Sequence, residues 1–273
     1  MAKVSSQPAS MPVTAVADAD RWTLIAITLL AGAATTLLHE GLGHGGACLL
    51  SGGHNLVISS VAEDCTLNNN WIYAAGTLVN LAAGGLSWWL LRFVRRASGW
   101  RYFLWLLMTF NLLTAAGYWL FSGVANLGDW AAILAGHEPT WLWHAAMALG
   151  GGAIYVLFVK LAVWELKPFL PCDFSDRVRG ARLLMLTPYF TFAALSCIAG
   201  VFNPVGAVLI LESAAAASLG GASGLAWGWQ WARAPHFASR RDGPAPLRRS
   251  YAWIVAGAVA AVLFIAVLGP GVR

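Results

Sequence analysis

Residues 22–50 read WTLIAITLLAGAATTLLHEGLGHGGACLL, Trp22 to Leu50. The stretch is apolar and longer than the ~20 residues a helix needs to cross a bilayer. Near its end, His39-Glu40-Gly41-Leu42-Gly43-His44 places two imidazoles and a carboxylate within six residues. Ionisable groups at membrane depth are costly and usually functional. His and Glu together form a metal-binding and proton-transfer set.

The rest of the chain supports the membrane reading. Of 273 residues, 59% are hydrophobic and 11% charged, against about 25% charged in a soluble domain. Fifteen tryptophans suit bilayer interfaces. The net charge of +5 does not point to nucleic acid, because the basic residues sit in short loops between apolar segments. Residues 1–21, polar and small with Pro8 and Pro12, read as a disordered cytoplasmic tail, not a signal peptide, since they lack an apolar core. A single helical membrane domain is expected over 22–273.

Seven apolar segments are expected: Trp22–Leu50, Trp71–Val94, Tyr102–Ser122, Trp141–Trp164, Leu183–Phe202, Val205–Trp229 and Tyr251–Leu268. Arg92, Arg95, Arg96 and Arg101 join the second to the third, Lys167, Arg177, Arg179 and Arg182 the fourth to the fifth, and Arg233, Arg240, Arg241, Arg248 and Arg249 the sixth to the seventh. Loops 51–70 and 123–140 contain no Lys or Arg. The positive-inside rule then puts the N-terminus in the cytoplasm and the C-terminus outside. The predicted fold is all-α, a polytopic bundle of about seven transmembrane helices. Its composition suggests a bacterial inner membrane.

Cys48 and Cys65 fall on the predicted outer side, where a disulfide or two thiols are both open readings. Cys172 and Cys197 are expected to be reduced.

A regular α-helix turns about 100° per residue, so histidines five apart diverge by about 140° and cannot both face one ion. A π-bulge, bonded from i to i+5, would bring His39 and His44 onto one face and leave Glu40 free as a base. Alternatively, Glu40 and His44 are the ligand pair, with His39 behind them. A zinc site with an open position needs a third protein ligand. Asp129 is chosen: it opens a short apolar stretch, Gly128 to Gly136, that could dip into the membrane and line a cavity. Helix capping is its structural alternative. Glu212 is the second candidate; His54, Glu63, Asp64, His137 and Glu138 are outer-loop alternatives. His144 is placed behind the site or at the interface, and Asp176 on the wrong face.

These residues resemble the site-2 protease family of intramembrane zinc metalloproteases (peptidase family M50). His39-Glu40-Gly41-Leu42-Gly43-His44-Gly45 is similar to the family's His-Glu-x-Gly-His-Ala helix, with one residue inserted. Ala75-Gly76-Thr77-Leu78-Val79-Asn80-Leu81 is similar to its Ala-Gly-Pro-x-x-Asn segment, and Asn203-Pro204 through Leu211-Glu212-Ser213 to the segment that supplies its third ligand, with Glu in place of Asp. The resemblance implies a zinc enzyme that cuts transmembrane protein substrates. Glu40 would be the general base, and Asn80 or Asn203 an oxyanion donor. A zinc hydrolase of lipid amides and a degenerate binding or scaffold protein are the competing expectations.

Overall fold

The computed structural model describes residues 19–204, 210–237 and 247–273, with the side chains of 210–212 outside that set. Residues 1–18, which hold most of the expected tail, fall outside it. Ala19 already packs on the core, and Asp20 caps the first helix by accepting from the Thr23 amide at 2.9 Å.

Among the described residues, six helices are long and apolar enough to cross a membrane: Arg21–Leu50 (α1), Asn70–Leu91 (α2), Gly99–Ala125 (α3), Thr140–Phe169 (α5, ending in a 3-10 turn), Phe174–Val201 (α6) and Tyr251–Leu268 (α8). The six-residue helix Asp129–Leu134 (α4) lies between α3 and α5. The expected segment Val205–Trp229 is described from Ile210 onward, and there it is not one regular helix. It runs as a π-helical Ile210–Gly220, a 3-10 turn Gly221–Ser223, a short α-helix Gly224–Gly228 and a 3-10 stretch Trp229–Arg233, together α7. Glycines interrupt it where it packs: a Cβ on Gly224 or Gly228 would overlap Val159 of α5.

The all-α expectation also meets one exception. Between α1 and α2, Asn55–Ile58 (β1) pairs antiparallel with Glu63–Cys65 (β2). The Cys48–Cys65 disulfide ties β2 to the end of α1, deciding between the two readings left open. Val272 and Ile58 exchange both backbone hydrogen bonds at 2.9 Å, so the C-terminal end of the chain lies against this hairpin.

The core is built around α3, where Tyr102, Trp105, Leu106, Met108, Phe110 and Leu113 are buried. Its polar tips find acceptors: Tyr102 Oη donates to the Leu184 carbonyl at 2.9 Å and Trp105 Nε1 to that of Ala162 at 2.8 Å. In α1, Thr28 and Thr35 hydroxyls donate to carbonyls one turn back, which satisfies them without water. The Gly150–Gly152 and Gly220–Gly224 runs serve close packing: Gly151 lies against the Leu120 backbone and Gly221 against Gly117.

Candidate metal centre

The distortion that the histidine spacing requires is present. Residues Leu37–Gly45 within α1 are π-helical. Extra width in the turn brings His39 and His44 together, their Nε2 atoms 3.2 Å apart. Gly43 sits on this turn directly against Gly76 of α2, where a Cβ on either residue would collide with its neighbours; one on Gly76 would meet both imidazoles. Two glycines therefore bring α1 and α2 into backbone contact at the site.

Asp129, the first residue of α4, completes the cluster. Its Oδ2 lies 3.4 Å from His39 Nε2 and 3.4 Å from His44 Nε2. Trp130 Nε1 donates to Thr77 Oγ1 at 3.1 Å and pins α4 to α2. Both histidines are buried, with 3% and 7% exposed.

The hydrogen bonds fix which ring nitrogens carry protons. His44 Nδ1 is 2.7 Å from the Ile72 carbonyl, which can only accept, so Nδ1 donates. The same logic reaches His39 through a relay. Asn111 Nδ2 donates to the Leu107 carbonyl at 2.8 Å and to Thr35 Oγ1 at 3.1 Å, which turns Asn111 Oδ1 toward Asn80. Asn80 Nδ2 donates to that oxygen at 2.6 Å, so Asn80 Oδ1 accepts from His39 Nδ1 at 2.5 Å. With both Nδ1 positions protonated, each ring in its neutral form directs an Nε2 lone pair inward. Asp129 Oδ2 is buried and lies within ion-pair distance of both Nε2 atoms. When both rings are neutral, three acceptors face one another. A single added proton could bridge only one pair, whereas a divalent cation would satisfy all three.

The spacing agrees with that fit. A tetrahedral ion with ligands at about 2.0–2.1 Å holds neighbouring ligand atoms about 3.3–3.4 Å apart; the observed separations are 3.2, 3.4 and 3.4 Å. His39, His44 and Asp129 are therefore the residues that could hold a metal.

The site opens on a cavity of about 280 Å³ whose walls include Glu40, Glu63, Asp64, Tyr118 and Phe121. Glu40 is 6% exposed. Glu63, on β2 outside the spanning helices, has its carboxyl pushed up to about 7, chiefly by burial, with Glu40 and Asp64 adding and His44 opposing.

The remaining sequence candidates separate cleanly. Asn80 serves as the orienting partner of His39, which replaces the oxyanion-donor role expected for it. Asn203 Nδ2 donates to Ser59 Oγ at 3.1 Å, and the cavity wall does not include it. Glu138 accepts from the Thr140 amide at 3.1 Å, His137 packs against Trp143, and neither those two nor His54 and His144 line the cavity. Asp176 lies in the first turn of α6, away from it. The Glu212 side chain is outside the described residues. Sequence reasoning missed Tyr118, whose ring stacks on His39 with centroids 4.7 Å apart; a lone tyrosine in an apolar helix gives no signal.

Compared with protein-family models, curated proteins and solved structures, the chain matches none.

Proposed function

We propose that this protein is a membrane-embedded zinc metallopeptidase that cleaves transmembrane protein substrates, of the kind that the site-2 protease resemblance implies. The observation that carries the reading is the set of three buried ligand atoms, His39 Nε2, His44 Nε2 and Asp129 Oδ2, converging at tetrahedral ligand spacing. Those residues would hold the ion. A bound zinc supplies Lewis acidity, which polarises a carbonyl and makes water nucleophilic near neutral pH.

The chain's own residues do the rest. Ile72 and the Asn80–Asn111–Leu107 relay keep both imidazoles in the tautomer that presents Nε2, which is how orienting partners normally tune such ligands. Glu40 neighbours His39 in sequence yet stays outside the ligand set, so its carboxylate is available to take a proton from water and deliver it to the leaving amine. A substrate helix must unwind locally to present a carbonyl, because its backbone groups are already paired.

We further propose seven crossings, with the broken α7 as the sixth, an N-terminus in the cytoplasm and a C-terminus outside, in a bacterial inner membrane. Support comes from the alternation of basic loops and from the contact of Val272 with the hairpin after α1. That contact lies at the end of α1 opposite to Asp20.

The test is cleavage of a transmembrane-helix peptide library by the full chain in liposomes. Glu40→Gln should lower product about a hundredfold or more while metal content stays at the wild-type level. Undiminished cleavage by Glu40→Gln would overturn the role of Glu40, and a wild type that holds zinc but cuts no helix would overturn the peptidase reading.

A further inference from the structure

At the opposite end of α1 from the metal centre, a groove of about 640 Å³ runs between the starts of α1 and α6. Its polar rim holds three guanidiniums, Arg21 from α1 and Arg179 and Arg182 from α6; its walls include Ile25, Leu183 and Leu186. All three arginines are exposed. Among the described residues no carboxylate pairs with any of them; the recorded partner is the Trp229 ring, 5.0 Å from Arg182. The acids beside them in sequence are Asp20, Asp173 and Asp176; Asp176 lies in the first turn of α6 and is not among the groove's lining residues. Asp20 accepts from Thr23 and pairs with Arg249 at 3.1 Å. Asp173 caps α6 by accepting from Ser175 and the Asp176 amide.

Three cations converging on one groove whose lining holds no carboxylate repel one another and favour an anion between them. The apolar wall narrows the choice of anion. Ile25 lies about one turn inside α1, and Leu183 and Leu186 about two and a half to three turns inside α6, both helices of membrane-crossing length, while exposed Trp22 marks the headgroup level beside Arg21. A free phosphate would use the rim and leave the wall bare. An anionic phospholipid uses both: its phosphate sits among the arginines and an acyl chain lies along the wall. We infer that this groove is a binding site for an anionic phospholipid. It is separate from the metal centre and does not depend on the peptidase reading.

The test is a native mass spectrometry titration of the full-length protein with phosphatidylglycerol, phosphatidylcholine and inorganic phosphate. At about 1 kcal/mol per basic residue near a membrane surface, the three arginines should give phosphatidylglycerol a roughly hundredfold advantage over phosphatidylcholine. Arg179→Gln should reduce that preference roughly fivefold, and the triple Arg21→Gln, Arg179→Gln, Arg182→Gln variant should erase it. Arg179→Lys, which keeps the charge, should retain most of it, and it stays informative if the triple variant does not fold. A preference unchanged in Arg179→Gln would overturn the site. Competition by inorganic phosphate at equal concentration would also overturn the lipid assignment, in favour of a free anion.

Discussion

Two buried polar clusters in this bundle differ in what they lack. At the loop between α2 and α3, Arg101 donates from Nη1 to the Leu91 and Val94 carbonyls and from Nη2 to Glu165, whose other oxygen accepts from Trp88 Nε1. The Nη1, Nη2 and Trp88 Nε1 donors there meet acceptors, and one positive charge meets one negative charge. At the candidate metal centre, the Nδ1 donors point outward to Ile72 and Asn80, and the inward-facing atoms, His39 Nε2, His44 Nε2 and Asp129 Oδ2, are all potential ligands. The first cluster pairs opposite charges and joins helix ends. The second is complementary to a cation, and complementarity of that kind, more than burial of charge as such, separates a binding site from a structural ion pair.

Breaking each cluster in turn sharpens the contrast, and the largest effect is expected in catalysis. Glu40→Gln should lower peptide cleavage by about 10²–10⁴-fold, the usual range for a lost general base, with metal content unchanged by elemental analysis. Arg101→Met should cost about 3–5 kcal/mol of stability in denaturant unfolding, because it leaves Glu165 without its cation and the Leu91, Val94 and Glu165 carbonyls without the guanidinium donors. By contrast, Asp129→Asn in metal-stripped protein should not destabilise, since it removes an acceptor that faces two others. A destabilisation equal to that of Arg101→Met would erase the distinction. Asn80→Leu should weaken metal binding by about 10–100-fold in a competition titration, through loss of the His39 orientation rather than of a ligand.

The smallest effect concerns Glu63. Its folded-state carboxyl titrates at about 7, above its ordinary 4.5. The folded state therefore holds the proton more tightly than the unfolded chain does. Stability is greatest below pH 4.5 on this account and declines as pH rises toward 7. Metal-stripped protein should show this decline in its melting temperature, and Glu63→Gln should flatten it. An unaltered pH profile in the variant would assign the decline to another group.

Much of the site was legible in the sequence, and particular residues show why. The five-residue gap between His39 and His44 required a wider turn, and the π-helix Leu37–Gly45 supplies it. Asp129 was reachable because it opens an apolar stretch too short to span. The hairpin was less legible: Asn55 to Cys65 carries no turn dipeptide of the usual kind, and its order rests on the Cys48 bridge and on pairing with Val272, both long-range. α7 read as one span because hydropathy does not register the helix-type changes that Gly220, Gly221, Gly224 and Gly228 permit. Asn80 was noticed for the wrong task, since a relay anchored at Leu107 exists only once α2 and α3 are packed. Gly76 appeared in the sequence only as part of a segment similarity, and its contact with both imidazoles belongs to the tertiary structure.

The central claim is that three acceptors await a cation. Metal content of the detergent-purified full chain, wild type beside His44→Ala and Asp129→Ala, addresses it directly. The account predicts about one zinc per chain in the wild type and loss of it in both variants, with all three proteins folded by circular dichroism. A wild type that binds no metal after zinc is added back, or one whose zinc is untouched by both substitutions, would contradict it.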